Sequence, residues 1–177
     1  MTKSKIADGA VADDRILFDL AGRVGVALQA QGLMVAAAES CTGGWIAQAL
    51  TAVPGSSNWF ERGFVTYTYI SKREMLGVSE QTLGTHGAVS EETVREMVVG
   101  ALIHSHAQVA VAVSGIAGPG GGLPGKPVGT VCFAWSVKNG EPKTAVQQFP
   151  GDREAVRRAS VKFALEGVLD LLPATLK

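Results

Sequence analysis

Leu33-Met34-Val35-Ala36-Ala37-Ala38-Glu39-Ser40-Cys41-Thr42-Gly43-Gly44-Trp45-Ile46-Ala47-Gln48-Ala49-Leu50 decides the fold. Leu33 to Ala38 is short and apolar enough for a buried strand, and Trp45 to Leu50 is a helical run. The six residues between them make a strand-to-helix turn. Such a turn at the carboxyl end of a strand is where open α/β sheets bind ligands. Outward from it, Leu17, Leu20, Val24 and Leu28 form a helical stripe that Asp13 or Asp14 caps and Gly32 stops. Downstream, Pro54-Gly55-Ser56-Ser57 breaks the second helix. Phe64 to Tyr69 is aromatic and β-branched, which predicts a strand. Ser71 to Leu76 predicts a helical turn closed by Gly77. Ser90 caps a helix whose buried face is Val94, Met97, Val98, Ala101 and Leu102.

Val109 to Val113 is near-continuously apolar, as a central parallel strand is. No helix or strand can run through the glycine-rich stretch from Ser114 to Pro127. Strands are predicted over Gly129–Val137 and Lys143–Phe149, joined by a turn at Lys138-Asn139-Gly140-Glu141. Asp152 caps a long last helix carrying Val156, Phe163, Val168 and Leu171, with Pro173 beyond its end. This alternation predicts an α/β fold with a mixed, mostly parallel sheet. Residues 1–12 read as a flexible lead-in and 13–177 as a single domain.

The 16 basic and 16 acidic residues cancel, which argues against a broad basic face for nucleic acid or a polybasic membrane anchor. No apolar run reaches the length of a membrane span. Two cysteines, Cys41 and Cys132, are too few for a disulfide framework and suit a reduced, cytoplasmic setting. His104 and His106, two apart on an expected helix, point to different faces and make a poor metal pair.

Three constellations carry candidate chemistry. Ser40, beside free N–H groups at the helix start around Thr42, Gly43 and Gly44, is placed as an acyl-transfer nucleophile; the plain alternative is a helix cap. Cys41 is the rival nucleophile, or a buried small side chain. Lys72 can act as base if burial lowers its pKa, with Tyr67 relaying a proton or holding it; the alternative is a surface lysine. Gly115, Ile116, Ala117 and Gly118, with Lys126 and Thr130, offer an anion cradle or a flexible loop. Arg153, at the last helix's start, is a phosphate grip or a solvated arginine.

Ala38-Glu39-Ser40-Cys41-Thr42-Gly43-Gly44, Pro54-Gly55-Ser56-Ser57, Gly63-Phe64-Val65-Thr66-Tyr67, His86-Gly87-Ala88-Val89-Ser90, Ser114-Gly115-Ile116-Ala117-Gly118-Pro119, Lys126-Pro127-Val128-Gly129-Thr130-Val131 and Gly151-Asp152-Arg153 follow one another in order. That series resembles the C-terminal domain of the competence-damage-inducible protein CinA, from about Leu17 to Leu172. The resemblance implies a three-layer α/β/α sandwich and nicotinamide-nucleotide amidohydrolase activity. Nicotinamide mononucleotide and water would give nicotinic acid mononucleotide and ammonia, in pyridine-nucleotide (NAD) salvage. It implies Ser40 as nucleophile, Lys72 as base and Tyr67 as assistant, with no metal or redox cofactor. It also implies a homo-oligomer, most simply a dimer. The longer family form has an N-terminal molybdopterin-like domain, for which 177 residues leave no room. Where the family often has Tyr-Ser-Asn, this chain has Tyr67-Thr68-Tyr69, so Tyr69 stands in an asparagine's place. Two other readings stay open: a hydrolase of a different small amide using the same serine, and a non-catalytic nucleotide-binding or interaction domain.

Overall fold

A computed structural model describes residues 13–172. The lead-in over residues 1–12 and Pro173 lie outside the described residues. The strands are β1 (Val35–Glu39), β2 (Phe60–Val65), β3 (Val109–Gly115), β4 (Thr130–Val137) and β5 (Lys143–Gln148). The α-helices are α1 (Asp14–Ala30), α2 (Trp45–Thr51), α3 (Tyr69–Leu76), α4 (Glu80–His86), α5 (Glu91–Ile103) and α6 (Arg153–Leu171). The sheet order is β2-β1-β3-β4-β5. β1 pairs in parallel with β2 and β3, while β4 runs antiparallel to both β3 and β5. Four strands therefore point one way, and β4 alone is reversed.

Period-2 alternation sorts the inner strands into two unlike faces. Val35, Val109, Val111, Val113, Val131, Phe133 and Trp135 face α1, α2 and α6. Ala36, Ala38, Ala110, Ala112, Cys132 and Ala134 face α3, α4 and α5. The large face carries an aromatic cluster in which Phe133 stacks on Trp135 and both meet Phe163 of α6. The small face lets α5 lie close to the sheet. The same economy of space recurs at Gly100, where an added Cβ would stand 1.9 Å from the Leu76 carbonyl oxygen at the end of α3. The three-layer α/β/α arrangement is therefore set by side-chain size as much as by polarity.

The expected caps at Asp13, Ser90 and Asp152 and the stop at Gly77 are present. Three expectations change. The strand predicted over Phe64 to Tyr69 is β2, which begins earlier and ends at Val65. Thr68 and Ser71 form a reciprocal capping box that starts α3 at Tyr69, so Tyr67 and Tyr69 leave the sheet and are about half exposed. His104 caps α5 and His106 lies beyond it, so the two do not share a helix. α4, capped by Ser79, carries only one buried side chain, Leu83, and has no apolar stripe to betray it.

Because α3 ends against Gly100, Gly100→Ala should cost about 1–3 kcal/mol or more by overpacking. A urea midpoint unchanged from wild type would show that the two helices can separate freely.

Candidate active site

The parallel strands β1, β2 and β3 end at one edge, and the chemistry-bearing groups collect there. Backbone hydrogen bonds carry the ladder just past the strand ends: Ser40 N–H donates to the Val113 carbonyl at 3.0 Å and Thr66 N–H to the Glu39 carbonyl at 2.8 Å. Ser40 is held beside β3 and Thr66 beside β1. From α3, Lys72 reaches inward and is fully buried. Its ammonium donates to Ser40 Oγ at 3.0 Å and to the Thr66 carbonyl oxygen at 2.7 Å.

A buried ammonium without a carboxylate partner is disfavoured by the lost hydration. Burial accordingly pushes Lys72 down from 10.5 to about 8. A negative charge on Cys41 would oppose this, but burial holds that thiol up at about 12 and hence neutral near pH 8. Cys41 is therefore a buried, poorly ionising side chain, the second of its two expected roles, and not the nucleophile's rival. Neutral Lys72 presents a lone pair to the Ser40 hydroxyl, which is the arrangement a general base needs.

The turn after Ser40 is organised by Glu39. Its carboxylate, 1% exposed, accepts from the amides of Gly44 (3.1 Å), Ile46 (3.0 Å) and Ala47 (2.8 Å). Gly43 N–H donates to the Ser40 carbonyl and Trp45 N–H to the Thr42 carbonyl. The donors expected at Gly43 and Gly44 are thus engaged inside the protein, Gly43 by the Ser40 carbonyl and Gly44 by the buried carboxylate. Among the described residues, the amides of Cys41 and Thr42 donate to no backbone or side-chain oxygen. The hydroxyls of Thr42 and Thr66 are buried without a partner.

Tyr67 does not meet Lys72. Its hydroxyl instead accepts from Arg153 at 2.8 Å, and the same guanidinium donates to the Gly118 carbonyl at 2.8 Å. Arg153 thus ties Tyr67 to the glycine-rich segment and is not loose in solvent. Within that segment the Ile116 amide is taken by the Thr130 carbonyl. Gly115 and Gly118 owe their lack of a side chain partly to packing: an added Cβ would lie 2.7 Å from Val131 and 2.5 Å from Val128 respectively.

Lys126 and Thr130 are drawn elsewhere. Lys126 donates to the His86 carbonyl at 3.0 Å, and the Thr130 hydroxyl donates to Pro127 and Gln148 oxygens. Both line a separate cavity of about 380 Å³ with His86, Ser90 and Glu92. Tyr69, in the asparagine's place, accepts from the Ala88 amide at 3.3 Å. No group of three or more His, Cys, Asp or Glu side chains is assembled for a metal among the described residues.

The sequence model of the CinA C-terminal domain matches residues 17–172, nearly the whole described structure. The chain belongs to the CinA C-terminal domain family. Its CinA relatives include the nicotinamide-nucleotide amidohydrolase PncC of Enterobacter agglomerans, 55% identical over 156 residues that span 88% of this chain and 95% of that protein. The enzyme of the same name from Escherichia coli K12 is 54% identical over 153 residues, 86% of this chain and 93% of that protein. Among solved CinA structures, the competence/damage inducible protein CihA of Agrobacterium tumefaciens superposes with a TM-score of 0.87 at 47% identity, covering 93% of this chain and 99% of that one.

Two residues of the CinA site escaped sequence reasoning. Glu39 was visible only as part of a motif, although an acid five residues before Gly44 at a helix start is a signal for a buried cap. Arg157 donates through Nε to the Cys41 carbonyl at 3.1 Å and through a terminal nitrogen to the Thr42 carbonyl at 3.0 Å. It lies one helical turn past Arg153, on the same face of α6.

The lowered Lys72 pKa fixes a sign. Only neutral Lys72 can take the serine proton, so kcat/KM should rise with pH through about 8 and level off above it. Between about 8 and 10.5 the unfolded chain binds the proton that folded Lys72 has lost, so this group makes stability rise with pH there. Lys72→Met should abolish turnover and lack that rise, so the wild-type-minus-variant difference in denaturation free energy should increase with pH between about 8 and 10.5. A rate that is flat from pH 6 to 10 would refute the lysine base.

Proposed function

We propose that this protein hydrolyses the carboxamide of nicotinamide mononucleotide, giving nicotinic acid mononucleotide and ammonia. The observation that carries this reading is Ser40 Oγ at 3.0 Å from the ammonium nitrogen of a fully buried Lys72, in a chain 54–55% identical to nicotinamide-nucleotide amidohydrolases.

Ser40 attacks the carboxamide carbon as its hydroxyl proton passes to neutral Lys72. The oxyanion of the tetrahedral intermediate takes hydrogen bonds from the Thr42 and Cys41 amides. A donor of this kind contributes about 3 kcal/mol in related chemistry. Protonated Lys72 returns its proton to the departing nitrogen, and ammonia leaves. A water then attacks the acyl-serine, again losing its proton to Lys72, and Ser40 is released with its hydroxyl restored. Arg153 has five N–H donors, and the two contacts to Gly118 and Tyr67 leave others for the substrate phosphate. The Ala117 and Gly118 amides are further donors beside it. Tyr67 belongs to this corner as a rim contact for substrate, held by Arg153.

Residues 13–177 act as one catalytic domain, in the cytoplasm and in NAD salvage, as a homo-oligomer that is most simply a dimer. Among the described residues no helix is long and apolar enough to cross a membrane.

Ser40→Ala should lower ammonia release from nicotinamide mononucleotide at least ~1,000-fold, as loss of a nucleophile does. Turnover within about tenfold of wild type would sink the acyl-enzyme. Arg153→Ala should raise KM for the mononucleotide about tenfold or more and leave the phosphate-free riboside unaffected; equal effects on both would remove Arg153 from the phosphate.

A further inference from the structure

The oxyanion donors in the amidase reading sit on a turn that is gripped from its other side. With the Gly43, Gly44, Trp45, Ile46 and Ala47 amides all engaged, the turn keeps only the Cys41 and Thr42 N–H groups for a reacting oxygen. The carbonyls of Cys41 and Thr42 are the two that Arg157 holds, at 3.1 and 3.0 Å. A trans peptide is planar, and its C=O and N–H point in opposite directions. Holding the Cys41 carbonyl therefore directs the Thr42 N–H, which belongs to the same peptide unit, away from Arg157. A cation on the carbonyl oxygen also polarises that peptide and makes its N–H a stronger donor.

Arg157 is itself pinned. Its guanidinium lies 5.3 Å from the ring centre of Trp45, the first residue of α2. A Cβ at Gly43 would stand 3.5 Å from a guanidinium nitrogen, an ordinary contact, so Gly43 answers to its positive φ of 61° and not to Arg157. Lysine cannot reproduce this two-point contact, because one ammonium replaces a planar fork.

We infer that Arg157 is a positioning residue for catalysis: through the Cys41 and Thr42 carbonyls it aims and strengthens the Thr42 N–H that stabilises the oxyanion at Ser40. This rests on the serine-amidase reading. It assigns Arg157 a role distinct from that of Arg153, one turn earlier, whose contacts are with Tyr67 and Gly118.

The test compares Arg157→Lys, Arg157→Gln and Arg157→Ala with Arg158→Gln. Arg158 is the neighbouring arginine, whose guanidinium lies 4.7 Å from the Trp45 ring centre and which pairs with Asp14 and Glu154 instead of the turn. Steady-state ammonia release should show kcat lowered about 10- to 100-fold in the Arg157 variants, the scale of a misplaced donor. KM for nicotinamide mononucleotide and the pH midpoint near 8 should be unchanged. Arg158→Gln should keep kcat within about twofold. Guanidinium ion should restore part of the rate to Arg157→Ala, and sodium at equal ionic strength should not. A second measurement needs no amide substrate: labelling of Ser40 by a fluorophosphonate, whose developing oxyanion uses the same donors, should slow in parallel with kcat. Wild-type kcat in folded Arg157→Gln, a loss confined to KM, an equal loss in Arg158→Gln, or undiminished labelling would each overturn the inference. If the wild-type protein releases no ammonia, the amidase reading fails on its own, and the labelling rates still decide the role of Arg157.

Discussion

A carboxylate buried at the end of a central strand has to find donors, and much of the site follows from how Glu39 does so. Its side chain takes three amides from the start of α2, while its backbone carbonyl takes the Thr66 amide from the end of β2. One residue thus fixes where the helix begins, how the turn between them is wound, and how β2 leaves the sheet. The partial positive charge of a helix start offsets the buried negative charge. Ser40 is the next residue, so its position is a by-product of satisfying its neighbour. The cost is that the helix start, often an anion site in such folds, is closed to any ligand.

The lysine obeys a related constraint with the opposite outcome. Lys72 has no carboxylate to neutralise it, only a hydroxyl and a carbonyl. Glu39 has three amide donors on its carboxylate; Lys72 is under-compensated and is left close to titration. Two buried ionisable groups near one serine are thereby driven toward different tasks, one structural and one chemical. The sheet supports both because its faces differ: the valine and aromatic face anchors α2 and α6, and the alanine face admits α5, against which α3 and its lysine rest.

Much of this was legible in the sequence. The strand-turn-helix from Leu33 to Leu50 predicts β1, α2 and a serine at the strand's end, because those features follow from local periodicity and glycines. The caps at Asp13, Ser90 and Asp152 were readable for the same reason. What stayed hidden depends on partners distant in the chain. Arg157 meets Cys41 across 116 positions, and nothing in the pattern around it separates it from Arg158, which faces Trp45, Asp14 and Glu154. Tyr67 and Tyr69 look like strand residues by propensity, yet a two-residue capping box outweighs that preference. Lys126 and Thr130, beside the glycines in sequence, turn to a different cavity because Lys126 is fastened to the His86 carbonyl.

The reversed strand β4 has a consequence for the arginines. β3 delivers the chain to the edge that holds Ser40, β4 carries it away, and β5 brings it back, so α6 begins at that same edge. Two reversals make an even count, and parity decides which rim a helix start occupies. One strand fewer in this hairpin would have sent Arg153 and Arg157 to the opposite rim, beside the turn at Asn139. Any insertion that lengthens the Lys138–Pro142 turn leaves the parity intact, whereas adding or losing a single strand there would separate the cations from the serine whatever their sequence.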